Sequence, residues 1–529
     1  MTDTFQHIIE AFKRQEFHQA ELLCWSALKT NPKSKKHCKW LGLSLLQQKK
    51  YEGGLRYLLE CLPEMDGDFD VINNIAFSYR HLEDYQNSLK FLDRADKIDN
   101  NSYAAKYNRA HVHLRLSNYN DAASLCEQCY KLIQKNIDDK AKNSSELDQL
   151  YFDIMLAQNN SEYVILKLKE KLKHSFDARF FYNLINTKNS EVSSDLIAQA
   201  QDFAMNKENF FLHRSFAFFG LGRIYEKEKN YEEAFKNYHT GNELKAEKIR
   251  FKPFAKQEKI KKIFHYFNEE LYKKVVAESD KEYLNRGSKC IFIVGNPRSG
   301  TSLVESILGS ADEICSAGEL NKFLNLYTNI DNDFSSENIK NIGLEYLKIL
   351  NGFDQENKHK FVIDKMPENI NSVGLIRLCL PAAKIICLDR AILDNAWSIY
   401  TQIYLANIPY SSSLFNLGIH MANTDALKKF WLSQKFNNNN YMVINYEELV
   451  SDPDRNSKKL FNFIGVDSKY DEEKRQKFFS RTASKAQVQK KIYSSSVSRS
   501  EKYGPLMTKF EESYDNQKKY WDFYFQDKN

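Results

Sequence analysis

The sequence predicts two kinds of fold in series: an α-helical repeat solenoid, then an α/β domain built on a parallel sheet. Three observations lead there. Aromatic and small residues recur at a step of 34 through the first part of the 529-residue chain. Near residue 290 the apolar pattern changes to short β-rich runs. The first of those runs leads into a glycine-containing loop and then a helical spacing, the arrangement in which backbone N–H groups hold an anion.

The repeats come first. Phe17, Tyr51, Tyr85 and Tyr119 recur at that step, as do Ala20, Gly54, Ser88 and Ala122, and again Ala27, Cys61, Ala95 and Cys129. A further series runs Ile8, Gly42, Ala76, Ala110, with only its first member bulky. Small residues at these places let two helices approach closely, and the aromatic closes the turn between them. The pattern resembles the tetratricopeptide repeat (TPR), including Pro32 at the end of the first unit. Units are expected near 1–34, 35–68, 69–102 and 103–136, a degenerate stretch at 137–213, and a last unit at 215–248 marked by Gly222, Tyr225, Tyr231, Ala234 and Gly241. Since one helix pair cannot bury its apolar face alone, the units should stack into a solenoid over residues 1–248. Its groove is the expected place for an acceptor peptide or partner protein. Residues 249–288 are expected to form a helical connector, and the lysines from Lys245 onward to lie on a solvated face.

The α/β domain is expected over 289–529. Cys290–Val294 (CIFIV) has the composition of a buried parallel strand. Gly295–Ser302 (GNPRSGTS) follows, then a helical run from Leu303. The GxxxxG spacing matches a Walker loop, but the Lys that a nucleotide triphosphatase needs after its second Gly is Thr301 here, and the basic residue is Arg298 inside the loop. That leaves a cradle for one tetrahedral anion. A second strand, Ala383–Leu388, leads to Arg390, Asp394 and Ser398. An Arg at a strand end and a hydroxyl two helical turns later can converge on one phosphate.

PRSGTS after a strand resembles the 5′-phosphosulfate loop of the sulfotransferase superfamily. Arg390 and Ser398 match that family's 3′-phosphate donors, with Asp394 in the structural place and Ala391-Ile392 departing from the usual Asp-Pro. Val443–Val450 (VINYEELV) resembles its last strand and following helix, and Thr482–Val488 with Ser496–Arg499 its nucleotide-covering loop. With the repeats upstream, the chain resembles the bacterial TPR-containing sulfotransferases related to protein-tyrosine sulfotransferases. The resemblance implies 3′-phosphoadenosine 5′-phosphosulfate (PAPS) as sulfuryl donor and no metal. It implies Arg298, Ser299, Gly300, Thr301 and Ser302 at the 5′-phosphosulfate, and Arg390 and Ser398 at the 3′-phosphate. Tyr446 is expected near the adenine, with Ser484, Arg499 and Lys502 as weaker candidates for covering the nucleotide.

For catalysis, Glu319 in SAGEL matches the base of the protein-tyrosine enzymes, and Lys365 in DKMP their catalytic lysine. Arg298 joins Lys365 as the second cation, since sulfuryl transfer needs a base for the acceptor hydroxyl and positive charge on the sulfuryl oxygens. Glu319 also suits helix capping. His359 and His420 occupy no matching motif. A peptidyl tyrosine is the favoured acceptor, with a carbohydrate, lipid or small phenol, or a TPR adaptor with an inactive nucleotide-binding domain, as alternatives.

Composition narrows the remaining classes. The chain is 42% hydrophobic and 28% charged, ordinary for a soluble globular protein. A net charge of +6 lacks the dense basic surface of a nucleic-acid binder, so no nucleic-acid partner is expected. No N-terminal signal and no long apolar stretch appear, so a cytoplasmic protein without a membrane span is expected. Of the nine cysteines, Cys126 and Cys129 form a CxxC without a second pair, which favours buried thiols in a reducing compartment.

Overall fold

The computed structural model describes residues 4–135, 144–187, 190–248, 251–277, 280–323, 335–354, 356–404, 408–434, 438–478, 491–492 and 497–526. The chain divides into two compact units, Met1–Gln158 and Asn159–Asn529.

The first unit is a stack of antiparallel helix pairs: Thr4–Lys13 with Phe17–Thr30, Lys35–Gln47 with Tyr51–Cys61, Phe69–His81 with Tyr85–Ile98, and Tyr103–Arg115 with Tyr119–Lys135. Each aromatic of the leading series opens the second helix of its pair. Two residues before it, the backbone turns through the left-handed region at Gln15, Lys49, Glu83 and Ser117, with φ between 62° and 65°. The small residues lie where the helices cross. A Cβ on Gly54 would come within 2.4 Å of Leu46, and one on Gly42 within 2.8 Å of Leu58. Cys126 and Cys129 are fully buried, and burial pushes both thiols up, Cys129 to about 12.

The second unit opens with helices, of which Phe211–Lys227 and Tyr231–Ala246 form the closest pair. Gly222 faces the Tyr238 ring and Gly241 faces Phe219, each too close to admit a Cβ. Lys245 departs from the expected solvated face. It is 4% exposed, with its ammonium over the Phe219 ring of the preceding helix at 5.1 Å, because it extends the buried stripe of Ala234, Tyr238, Gly241 and Asn242 on its own helix.

A five-stranded, wholly parallel sheet follows: β1 Cys290–Gly295, β2 Ile314–Gly318, β3 Phe361–Asp364, β4 Lys384–Asp389 and β5 Tyr441–Asn445, in the order β2-β3-β1-β4-β5. β1 is central and buried along its length. Its side chains alternate between two cores, as strand geometry requires. Cys290, Phe292 and Val294 join Phe264, Tyr346, Ile376 and Trp431 on one face, while Ile291 and Ile293 join Val304, Leu449, Leu460 and Ile464 on the other. The C-terminal helix Thr508–Gln526 lies along Leu414–Ser433, and Gln517 and Trp521 both donate to the Asn423 side-chain oxygen Oδ1. No helix among the described residues is long and apolar enough to cross a membrane.

Candidate active site

Strand order changes direction at β1, so the crevice at its C-terminal end is where an open parallel sheet admits a ligand. Four of the five strands deliver a sequence-predicted side chain immediately after their last residue: Glu319 after β2, Lys365 after β3, Arg390 after β4 and Tyr446 after β5. β1 delivers the loop. β2 is absent from the sequence reading, which placed Glu319 at the start of a helix; a strand of only five residues, ICSAG, carries little periodic signal.

The loop is built to expose its backbone. Arg298 and Gly300 adopt positive φ, 65° and 107°, so the chain coils tightly before the helix Thr301–Leu308. A Cβ on Gly300 would come within 2.6 Å of the Tyr446 ring, so only glycine fits beneath that aromatic. Ser299 is fully buried and donates to the Asn296 carbonyl at 2.7 Å, which braces the loop from within. Two side chains from the β4 connection peg the loop from outside: Arg390 donates to the Arg298 carbonyl at 2.7 Å, and Asn395 to the Pro297 carbonyl at 2.8 Å. First-turn amide groups of the helix, at Thr301 and Ser302, point toward the helix start and have no acceptor within the helix.

The proposed phosphate donors come together. Arg298 Nε lies 3.2 Å from the Ser398 hydroxyl, and the Arg390 guanidinium stacks over the Tyr446 ring at 4.4 Å. Burial lowers the Arg390 pKa, which the neighbouring Tyr446, Asp394 and Glu447 partly offset. Such a withdrawn cation gains most when a dianion arrives. Asp394 holds main chain as well. Its carboxylate accepts from the backbone N–H of Ser498 at 2.6 Å and of Ser500 at 2.7 Å, tying the C-terminal segment to the helix that carries Ser398.

On the other side of β1, Lys365 is fully buried and forms an ion pair with Glu319. Glu305, one turn into the loop's helix, lies 3.9 Å from the same ammonium and accepts from Ser316 at 2.6 Å. Glu319 itself is 38% exposed, so its carboxylate meets the crevice while its partner does not. Asp364 fixes this corner by accepting from Tyr346 at 2.7 Å, Asn369 at 3.2 Å and the Leu320 N–H at 3.4 Å. Tyr404, absent from the sequence reading, feels both Arg298 and Glu319; burial pushes its pKa up, and its hydroxyl has no hydrogen-bond partner among the described residues.

Residues 290–472 match the model of the sulfotransferase family, and residues 69–102 that of the tetratricopeptide repeat. The chain carries a sulfotransferase-family domain. A protein of Aquifex aeolicus (strain VF5), described only as uncharacterized, is 31% identical over 317 residues, which are 56% of this chain; the chain spans 40% of that relative's length. Among solved structures, the sulfotransferase domain from the Synechococcus PCC 7002 olefin synthase is 17% identical, covering 40% of this chain and 86% of its own, with a TM-score of 0.29. A thermophilic TPR protein of Thermus thermophilus is 14% identical, covering 32% of this chain and 90% of its own, with a TM-score of 0.27. At those scores neither overlap bears on the site.

The remaining candidates have other partners or lie outside the described residues. Arg499 is held by Glu226 of the helix Phe211–Lys227, with Nε donating at 2.7 Å, and Tyr503 donates to the same carboxylate at 3.0 Å. Lys502 lies over the Tyr231 ring at 5.5 Å. Ser484 lies outside the described residues. His420 is buried against the Tyr410 ring at 3.4 Å, and His359 is paired with Asp354 at 2.9 Å.

Proposed function

We propose that the sulfotransferase domain transfers a sulfuryl group from PAPS to an acceptor hydroxyl, with a peptidyl tyrosine as the acceptor. The observation that carries the reading is the pairing of buried Lys365 with half-exposed Glu319 at adjacent strand ends, beside a loop that presents Arg298. The positive-φ loop before a helix start supports a place for one anionic group, and Ser398 within 3.2 Å of Arg298, with Arg390 on the Arg298 carbonyl, supports a cluster of donors beside it.

When bound, PAPS supplies the activated sulfuryl group and a phosphate leaving group. Glu319 takes the proton of the acceptor hydroxyl as that oxygen bonds to sulfur and the bond from sulfur to the phosphate oxygen breaks. Arg298 and Lys365 hold charge on the sulfuryl and leaving oxygens in a site withdrawn from water, where fixed cations act most strongly. As Glu319 becomes neutral it releases Lys365, whose charge is then directed at the leaving oxygen. Glu305 keeps that ammonium in place meanwhile.

The test is transfer of radiolabelled sulfur from PAPS to a tyrosine peptide, its Phe counterpart, an oligosaccharide and a simple phenol. Label on the tyrosine peptide and not on the Phe version supports the reading. Label chiefly on another acceptor reassigns the substrate. No label anywhere, with tight binding of the desulfated nucleotide, makes the chain an adaptor.

A further inference from the structure

The helix Ile392–Tyr400, which carries Ser398, ends in a segment with phenols at Tyr400, Tyr404 and Tyr410. Two of them are engaged by the fold: the Tyr400 hydroxyl lies 2.7 Å from His239 Nδ1, and Tyr410 donates to Glu368 at 2.9 Å. The Tyr404 hydroxyl is buried and has no hydrogen-bond partner among the described residues. A buried polar group left in that state costs free energy that a ligand atom recovers by pairing with it.

The backbone leading to Tyr404 is held from two sides. Tyr182, on the helix Ala178–Asn186, accepts from Gln402 Nε2 at 2.9 Å and from the Ile403 N–H at 3.5 Å. Asn242, on the helix Tyr231–Ala246, donates to the Tyr400 carbonyl at 2.9 Å. Both side chains are buried, so the stem of Tyr404 starts from a fixed point. The same segment begins at the phosphosulfate loop, where Ser398 lies 3.2 Å from Arg298 Nε.

Burial pushes the Tyr404 pKa up against the pull of Arg298, and the charge of Glu319 also reaches the phenol, so it keeps its proton. Under the proposed function, those two residues mark the two sides of the transfer, with the cation by the leaving group and the base by the acceptor. We propose that the Tyr404 hydroxyl is a further catalytic donor, giving a hydrogen bond to a sulfuryl oxygen as the group passes between Arg298 and Glu319, and that Tyr182 is its positioning residue. The inference rests on the proposed function. In the step, the acceptor oxygen bonds to sulfur, the bond from sulfur to the phosphate oxygen breaks, the acceptor proton goes to Glu319, and Tyr404 retains its own. A fixed donor strengthens its bond as negative charge develops on the sulfuryl oxygens. A third cation there would hold Glu319 ionised and weaken it as a base, whereas a neutral phenol does not.

The test uses the full-length chain with radiolabelled PAPS and the tyrosine peptide, beside calorimetric binding of 3′-phosphoadenosine 5′-phosphate, which lacks the sulfuryl group. Tyr404→Phe should lower kcat by about 100-fold, while the peptide KM and the affinity for the desulfated nucleotide stay within about threefold. Because the hydroxyl has no partner in the fold, the urea midpoint of this variant should hold or rise. Tyr182→Phe should lower kcat by about tenfold alone and by no more than about twofold when added to Tyr404→Phe, since it acts through that residue. A kcat within about threefold of wild type in Tyr404→Phe, a raised peptide KM with kcat unchanged, or nucleotide affinity falling in step with kcat would overturn the donor role. An equal effect of Tyr182→Phe with and without the Tyr404 hydroxyl would overturn the positioning role. No transfer by the wild type overturns the proposed function and this inference with it; transfer by the wild type and equally by Tyr404→Phe overturns this inference alone.

Discussion

Glu226→Gln should loosen residues 497–507, which it anchors through Arg499 and Tyr503. In the wild type, one carboxylate with 13% of its side chain exposed accepts two guanidinium N–H groups from Arg499 and the Tyr503 hydroxyl, and lies 3.5 Å from Arg223. Removing its charge leaves two cations without their partner. Breaking a largely buried pair in this way costs about 3 kcal/mol, which is about 100-fold in the equilibrium for local opening. The penalty falls on residues 497–507, because that segment carries both Arg499 and Tyr503. Hydrogen exchange followed by mass spectrometry reads this directly: amides of 497–507 should lose about 100-fold of protection while those of β1 stay unchanged. Acid should mimic the substitution. Burial pushes the Glu226 pKa up, but Arg499 and its hydrogen bonds outweigh burial and hold it below the ordinary value of 4.5. A carboxylate lowered in the folded state stabilises above its unfolded pKa, and that contribution fades as pH falls through the folded one. The wild type should therefore lose protection in strong acid and the Gln variant should not. Protection in the variant within about threefold of wild type would refute the clamp.

Gly300→Ala should keep the fold but weaken binding of 3′-phosphoadenosine 5′-phosphate by at least about tenfold in calorimetry, because the residue at φ 107° would both strain the loop and displace Tyr446; unchanged affinity would count against the cradle. Glu319→Ala should lower turnover by about 100-fold or more while affinity for the same nucleotide stays within about threefold. Near-normal turnover would remove Glu319 as the base. Lys245 has its pKa lowered by burial to about 8, so the unfolded chain binds more protons above that pH and stability rises between there and the ordinary lysine value of 10.5. The full rise amounts to about 3 kcal/mol, and Lys245→Met should abolish it in urea unfolding compared at neutral and alkaline pH.

The repeats and the loop were legible for a shared reason: each imposes a local rule on residue type. Helix pairs that cross at Gly42 and Gly54 have no room for a larger residue, so the 34-residue step survives in the sequence. A loop coiled under Tyr446 needs Gly300. Residues that act across long separations leave no such trace. Glu226 meets Arg499 across 273 positions, Asn395 meets Pro297 across 98, and neither belongs to a periodic pattern. β2 escaped because five residues ending in Ser, Ala and Gly do not look like a strand; it forms because β3 offers a paired edge. The family resemblance gives Asp394 a structural place, and the two backbone N–H bonds its carboxylate accepts give that place a purpose. Lys245 misled the reading because a lysine's charge is visible in sequence and the aromatic face beneath its stem is not.

On the proposed function, the loop at Gly295–Ser302 together with Arg390 and Ser398 should recognise a nucleotide with a 3′-phosphate. This is tested most directly by calorimetric titration of the full-length protein with 3′-phosphoadenosine 5′-phosphate and with adenosine 5′-phosphate, repeated on Arg390→Ala. The 3′-phosphate should strengthen binding by at least about 100-fold, and Arg390→Ala should erase most of the difference. Equal affinity for the two nucleotides in the wild type, or preferential binding and hydrolysis of ATP with Mg²⁺, would contradict it.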